Sequence, residues 1–383
     1  MTFGIKQICE AWVSVCSRSV FWLVMLLPIR CALKGGSGME DQAVSVRDRY
    51  RDLCYARTTF FMAASQVPAA LAALGIVTPG DRLVVFADDF EHAFVACFDA
   101  ASLVFVAEPT VASFEAASAG FACGYGDEEP HLWWFANSIG GFGLRVPDLR
   151  ALGRAARDAG ALLVVDNTVA SCFGCHPLRL GVALSLEALD RVCAGEASRK
   201  LVAVSAARSQ LKRHRVDPAA ELANALLEGL EASGVELCAG ELEVLDQGLT
   251  SLGARMQAHF DRARALAEYL AANEAVSNVR YPGLSSHPDH ACATGALEHG
   301  FGPAVEFDLL CGMTAGEFFE LLPAPFRTSP AWGAVTRLSA PKGKGAHTVR
   351  LFAGTDDPLR VAATLDDALR QKCVSGPRPK NDH

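Results

Sequence analysis

From about residue 60 onward the chain alternates short apolar runs with amphipathic stretches. "RLVVFA" (82–87), "SLVFVA" (102–107), "LWWFAN" (132–137), "ALLVVD" (161–166) and "KLVAVSA" (200–206) are brief and rich in β-formers, so each predicts a strand. "AALAALGI" (69–76) predicts a helix, followed by a Pro-Gly-Asp turn. "VPDLRALGRAARDAG" (146–160) predicts another: Pro147 suits a first turn, Leu149, Leu152 and Ala156 share a face, and Gly160 stops it. Strands alternating with helices imply a parallel sheet covered on both faces. In such sheets ligands lie at the carboxyl ends of the strands. Asp166 ends the run "ALLVVD", where a carboxylate is costly unless donors or a cation meet it.

After about residue 217 the periodicity lengthens to that of helices, through "PAAELANALLEGLEASG" and "ARMQAHFDRARALAEYLAANEAV". "SNVRYPGLSSHPDH" follows as a strand and loop. "PAVEFDLL" (303–310) and "TVRLFAG" (348–354) predict strands around the helix "TAGEFFELL" (314–322), and "DPLRVAATLDDALRQ" (357–371) predicts a closing helix. The expected organisation is a large α/β domain over 39–250 and a smaller α+β domain over 251–373. Residues 374–383, "VSGPRPKNDH", read as a disordered tail.

Composition changes this picture little. The chain has 383 residues, 51% of them hydrophobic and 20% charged, as expected for a protein with a sizeable core. The formal net charge of −8 argues against a nucleic-acid partner, and the basic run "RSQLKRHR" (208–215) reads as a solvated loop. The 13 cysteines are scattered through apolar segments, which fits reduced, buried thiols in a cytoplasmic protein. "CFGCH" (172–176) matches the c-type haem attachment pattern in form, but nothing else in the chain follows haem-ligand logic, and it reads as a loop with no metal. His287 and His290 of "SSHPDH" likewise read as loop residues. The apolar run "VFWLVMLLPI" (20–29) is shorter than the roughly 20 residues a membrane span needs, so no membrane partner is expected. "KGGSGM" (34–39) can be encoded by a purine-rich ribosome-binding stretch before an ATG. Residues 1–38 are therefore read as a non-native or flexible extension with translation starting at Met39; an anchor or signal is the alternative.

Several of these segments resemble the Cys/Met-metabolism family of pyridoxal-phosphate (PLP) enzymes, the cystathionine γ-synthases and lyases. "LRVPDLRALGRAARDAGALLVVDNTVAS" is similar to the family's approach to its Asp-Asn-Thr motif. "LTSLGARMQAHFDRARALAEYLAANEAVSNVRYPGLSSHPDH" is similar to its long helix and Tyr-Pro-Gly-Leu loop, while "HGFGPAVEFDL" and "TVRLFAGTDDP" match later landmarks. The resemblance spans about residues 60–371 and implies a fold-type I transferase architecture with PLP as cofactor, a small amino acid as ligand and a homo-oligomeric assembly. It places Asp166 on the pyridine nitrogen. It places Thr168, and Ser65 and Gln66 of "SQV", among the cofactor contacts. Arg350 falls where the substrate α-carboxylate binds, a task suited to a guanidinium fork.

The resemblance breaks at the reactive centre. In an ungapped register from Asp166 the family's Schiff-base lysine becomes Arg191, 25 residues on (191 − 166), and its two phosphate-binding hydroxyls become Ala188 and Asp190. Arginine stays protonated and cannot serve as an amine nucleophile, and a carboxylate repels a phosphate. Gln66 replaces a glycine of the phosphate turn, Glu91 a stacking tyrosine and Gly141 an asparagine. These replacements predict that no stable PLP adduct forms. The expected function is a homologue that has lost Schiff-base catalysis and acts as a non-catalytic or regulatory subunit, alone or with an active paralogue. Arg191 is then the expected counter-ion of Asp166, within about 4 Å of it. The alternative is an active PLP-dependent C–S lyase or synthase that uses Lys200 of "EASRKLVAV".

Overall fold

The computed structural model describes residues 37–63, 80–86, 95, 98, 102–122, 130–189, 201–207, 217–232, 237–310, 312–326, 335–341 and 345–373. Helix α1 (Ser37–Leu53) is followed by strand β1 (Thr58–Ala63), then β2 (Arg82–Phe86), β3 (Leu103–Val106), α2 (Val111–Ser118), β4 (Leu132–Asn137), α3 (Leu149–Asp158) and β5 (Ala161–Asp166). A short helix α4 (Ser171–Gly174) leads to β6 (Leu184–Ala188) and β7 (Leu201–Ala206), and α5 (Pro218–Ala232) closes this region. The seven strands form one sheet in the order β1-β7-β6-β5-β4-β2-β3.

The central strands are apolar throughout because both faces are covered. β4, "LWWFAN", is buried at every position. Trp133 and Trp134 point to opposite faces and into separate core clusters. Each indole N–H finds an acceptor, Asp81 Oδ2 at 3.1 Å and Ser118 Oγ at 2.8 Å, as burial of a tryptophan requires. The large sheet is mostly parallel, as its fold class implies, with β7 running antiparallel to both β6 and β1. One detail differs from the sequence-based expectation. Helix α3 begins at Leu149, after Pro147, because the Asp148 side chain caps it by accepting from the Ala151 N–H. The expected helix at 69–76, the apolar run 20–29 and the tail 374–383 lie outside the described residues. Among the described residues no helix is long and apolar enough to cross a membrane.

Helix α6 (Ala239–Ala271) then runs for 33 residues. The expected domain boundary at 250/251 falls inside it. Its first half packs Leu242, Leu245, Leu249, Leu252, Met256 and Phe260 into a core shared with the large sheet. Its second half sends Ala263, Leu266, Ala267 and Leu270 into a different core. That second core belongs to β8 (Val276–Arg280), β9 (Ala304–Leu309), α8 (Ala315–Leu321), β10 (Arg337–Ser339), β11 (Thr348–Phe352) and α9 (Pro358–Cys373), whereas α7 (His290–Ala296), between β8 and β9, sends Ala293 into the first core. The four strands form an antiparallel sheet in the order β10-β11-β9-β8.

The loop 140–145 of the large domain meets the loop 281–289 of the small one through polar contacts. The His287 Nε2–H donates to the Gly143 carbonyl at 2.8 Å, and its Nδ1 accepts the Asp289 N–H at 3.1 Å, an arrangement only the neutral ring can make. Arg145 donates to both oxygens of Asp289 at 2.5 and 3.0 Å, and also reaches Glu108. Burial lowers the His287 pKa below its ordinary 6.5. Burial alone would raise the Asp289 carboxyl, but Arg145 and the Val146 N–H together hold it below the ordinary 3.8. The unfolded chain protonates both groups more readily than the folded one, so each contributes stability that is lost as pH falls. We therefore expect the urea-unfolding free energy to be greatest near neutrality, to decline below about pH 6.5, and to decline again below about pH 4. His287→Gln should reduce the slope of the first decline. An unchanged slope between pH 7 and 5 would show that His287 does not titrate with folding.

Candidate functional site

Strand β5 is buried over Ala161–Val165 and delivers Asp166, half-buried, to the carboxyl edge of the large sheet. Its neighbours there are Asn137 on β4 and Leu186 on β6. The following turn is pinned at every residue. Asp166 Oδ1 accepts the Thr168 N–H at 2.7 Å, an Asx-type closure, and the Asp166 carbonyl accepts the Ser138 N–H at 2.9 Å. Asn167 is buried and donates from Nδ2 to the Cys175 carbonyl at 3.0 Å, while its backbone N–H reaches the Leu186 carbonyl at 2.7 Å. Thr168 Oγ1 accepts the Ala188 N–H at 2.9 Å. Ser171 then adopts φ 59°, a left-handed conformation uncommon for a side chain of its kind. The turn is therefore held rigid, with one carboxylate presented at the strand ends.

The second group is on the small sheet. Arg350 of β11 lies directly opposite Glu306 of β9 in the antiparallel register. The neighbours of these residues along the strands, Val305, Phe307, Val349 and Leu351, fill the small-domain core, so Arg350 and Glu306 share the other face. Both are buried, at 1% and 0% exposure. Arg350 approaches Glu306 Oε1 with Nε at 2.6 Å and Nη2 at 2.5 Å, and Nη2 also donates to the Gly141 carbonyl at 2.9 Å. Glu306 Oε2 accepts the Gly143 N–H at 2.7 Å and lies 3.4 Å from Arg280 Nε. Arg280 is in turn forked onto Asp308 at 2.6 and 3.1 Å and stacks over the Phe142 ring. Burial would raise the Asp308 carboxyl, but Arg280, Asn278 and Thr348 bring it down to about 2. Two cations and two anions thus alternate along the seam between the small sheet and the 140–145 loop.

Glu306 was not among the residues singled out from the sequence. The available signal was the same one that marked Asp166, an acidic residue within a strand of apolar periodicity, "PAVEFDLL". Its partner could not be read, because it depends on a strand register between segments 44 residues apart in the chain.

The remaining sequence-derived candidates divide. Ser65, Gln66, Glu91, Asp190, Arg191 and Lys200 lie outside the described residues, as does the basic run 208–215. Ala188 ends β6 with a methyl group where the resemblance implies a phosphate-binding hydroxyl. His287 is a buried bridge to Gly143, whereas His290 starts helix α7 instead of lying in a loop, with its Nδ1 at 2.8 Å from the Pro282 carbonyl. The segment 172–176 is not one open loop: Cys172 lies in α4 and Cys175 forms an isolated bridge with Leu297. Burial pushes the Cys175 thiol up to about 12, and His176 lies 3.4 Å from Glu298. As a site for PLP, the described residues agree at one contact and disagree at two. A half-buried carboxylate at the strand ends fits a protonated ring nitrogen. The Ala188 side chain has no hydroxyl for the phosphate, and Arg350 already holds an internal carboxylate.

Comparison with known proteins identifies the family. A family model for the Cys/Met metabolism PLP-dependent enzymes matches residues 43–340. A cystathionine β-lyase of Lactococcus lactis subsp. cremoris is 29% identical over 245 residues, 60% of this chain and 61% of the relative. An O-succinylhomoserine sulfhydrylase of Pseudomonas aeruginosa is 31% identical over 226 residues, 57% of this chain and 53% of the relative. The chain therefore spans somewhat over half the length of the curated relatives it matches. Among solved structures, a methionine γ-lyase of Micromonospora echinospora superposes with a TM-score of 0.71 at 26% identity, covering 86% of this chain and 85% of that one. A cystathionine γ-synthase of Xanthomonas oryzae pv. oryzae, 23% identical with a TM-score of 0.72 over 89% of this chain and 87% of the other, shares the fold. A fold-type I architecture, an Asp-Asn-Thr turn at the strand ends and a match across most of its length make this chain a member of the Cys/Met metabolism family of PLP-dependent enzymes.

Proposed function

We propose that this chain is a homologue of the transsulfuration enzymes that has lost Schiff-base catalysis and serves as a non-catalytic or regulatory subunit, as a homo-oligomer or beside a catalytic relative. The observation that carries the reading is the pair between Arg350 and Glu306. The resemblance assigns Arg350 to a substrate α-carboxylate, yet here its guanidinium is engaged by Glu306 and the Gly141 carbonyl at 2.5–2.9 Å, out of solvent. An incoming amino acid would have to displace a carboxylate that cannot diffuse away. The sequence supports the same reading through Arg191 in the register of the lysine, and through Ala188 and Asp190 in that of the phosphate hydroxyls. When bound, PLP supplies this family with an electron sink. Asp166 is the residue that would hold its ring nitrogen, and Arg191 is the counter-ion we assign to Asp166 in its place. The names of the relatives, lyases and a sulfhydrylase, favour the other reading, an active C–S lyase or synthase that uses Lys200.

Three outcomes test the proposal. Protein incubated with PLP, reduced with borohydride and weighed intact should show no pyridoxyl increment. A stoichiometric increment mapping to Lys200 would establish the active reading instead. Glu306→Gln and Arg350→Met should each destabilise the fold by about 3–5 kcal/mol, since each strands a buried charge. The double variant should cost less than the sum by at least about 0.5 kcal/mol, and additivity would dissolve the pair. The same cycle on Asp166→Asn and Arg191→Met should show coupling of the same sign, and its absence would remove Arg191 as the counter-ion.

A further inference from the structure

Beside the strand-end turn, three segments bring metal-ligating side chains together inside the protein. Cys54 lies in the turn after α1, Cys172 in α4, and Glu187 on β6. Their ligand atoms lie within 4.8 Å of one another. Exposure is 7%, 2% and 2%, so the group is shut off from water. Glu187 is held in a fixed orientation. Its Oε2 accepts the Tyr50 hydroxyl at 2.8 Å and the Cys172 N–H at 2.9 Å. Tyr50 is itself fixed, buried and edge-on to Phe61 with centroids 5.4 Å apart. Its carbonyl accepts the Cys54 N–H at 3.0 Å, so the residue that orients the carboxylate also anchors the segment carrying the first thiol.

From this arrangement we infer that Cys54, Cys172 and Glu187 form a binding site for a thiophilic divalent cation of the Zn2+ type. Two sulfurs and one oxygen are a donor set that Zn2+ accepts, with Zn–S near 2.3 Å and Zn–O near 2.0–2.2 Å. Tetrahedral ligands at those lengths stand roughly 3.5–3.8 Å apart, a modest contraction of the cluster that side-chain rotation can supply. The fourth position is filled by a ligand that enters with the ion. On binding, each thiol loses its proton to solvent and two S–metal bonds form with no change of oxidation state. The hydrogen bonds from Tyr50 and the Cys172 N–H to Glu187 play the outer-shell part that orients a ligating carboxylate. The cation would tie the end of α1 to the large sheet beside Thr168, whose hydroxyl bonds the residue following Glu187.

The test uses the full chain, stripped with a chelator under reducing conditions and titrated with Co2+ as a probe for Zn2+. A single equivalent should bind and give a thiolate-to-cobalt charge-transfer band. Cys54→Ser and Cys172→Ser should each abolish the band, and Cys175→Ser should leave it intact. Tyr50→Phe should weaken binding about 10- to 100-fold, as loss of an outer-shell partner does. X-ray absorption on the Zn2+-loaded wild-type chain should report two sulfur neighbours near 2.3 Å, independent of whether any variant folds. No band, a band that survives both serine variants, or a shell without sulfur would overturn the site. So would a non-reducing mass map showing Cys54 joined to Cys172 in protein that takes up no metal, which would make the pair a redox couple. None of these outcomes depends on whether PLP binds.

Discussion

The seam between the two sheets depends on how a carboxylate with no solvent exposure is compensated. A carboxylate as buried as that of Glu306 costs free energy unless several donors and a cation lie close by. The surrounding structure meets that demand from three directions. Arg350 comes from the adjacent strand, Arg280 from β8, and the Gly143 N–H from the large domain. Satisfying one charge therefore fixes the β9–β11 register, the tip of β8 and the position of the 140–145 loop at once. His287 and the Arg145–Asp289 pair extend the same seam. On the proposed reading the Arg350 guanidinium serves the scaffold in place of substrate recognition.

The Asp-Asn-Thr turn shows the opposite arrangement. Its internal bonds consume backbone N–H groups, the Asn167 amide and the Thr168 hydroxyl, and a left-handed Ser171 closes it. Strain of that kind survives only where neighbours over-determine the backbone. The turn keeps the shape suited to presenting Asp166, while Ala188, at the end of β6, presents no hydroxyl. On the proposed reading the chain keeps its family's framework and departs from it in side chains, because backbone packing is collective and tolerant whereas each ligand contact is a single residue.

Much of the fold was legible because the central strands are continuous apolar runs. "LWWFAN" and "ALLVVD" can be little else than buried strands, and their ends matched to within a residue. "LSLEA" was not recognised as β6 because Ser185 and Glu187 interrupt the apolar run, although both are buried. The direction of β7 was hidden as well: apolar periodicity is the same for parallel and antiparallel strands. The candidate site was legible where one residue suffices, as with Asp166, and illegible where the partner is distant in the chain. Glu306 opposite Arg350, and Cys54 beside Cys172, are products of register and packing that no local pattern encodes. The "CFGCH" segment illustrates this, since spacing paired Cys172 with Cys175 while folding set it beside Cys54 and Glu187.

Helix α6 acts as a phase-locked shaft. Its 33 residues present leucines to one core and, farther along, small and branched residues to another. Each residue turns the helix by about 100°, so inserting or deleting a single residue between Phe260 and Ala263 would swing every later side chain away from its own core. Only changes of about seven residues restore the phase, and those displace the second core by roughly 10 Å along the axis. The length of this helix is therefore as tightly constrained as any buried residue on it, and the space between the two domains is measured out in helical turns.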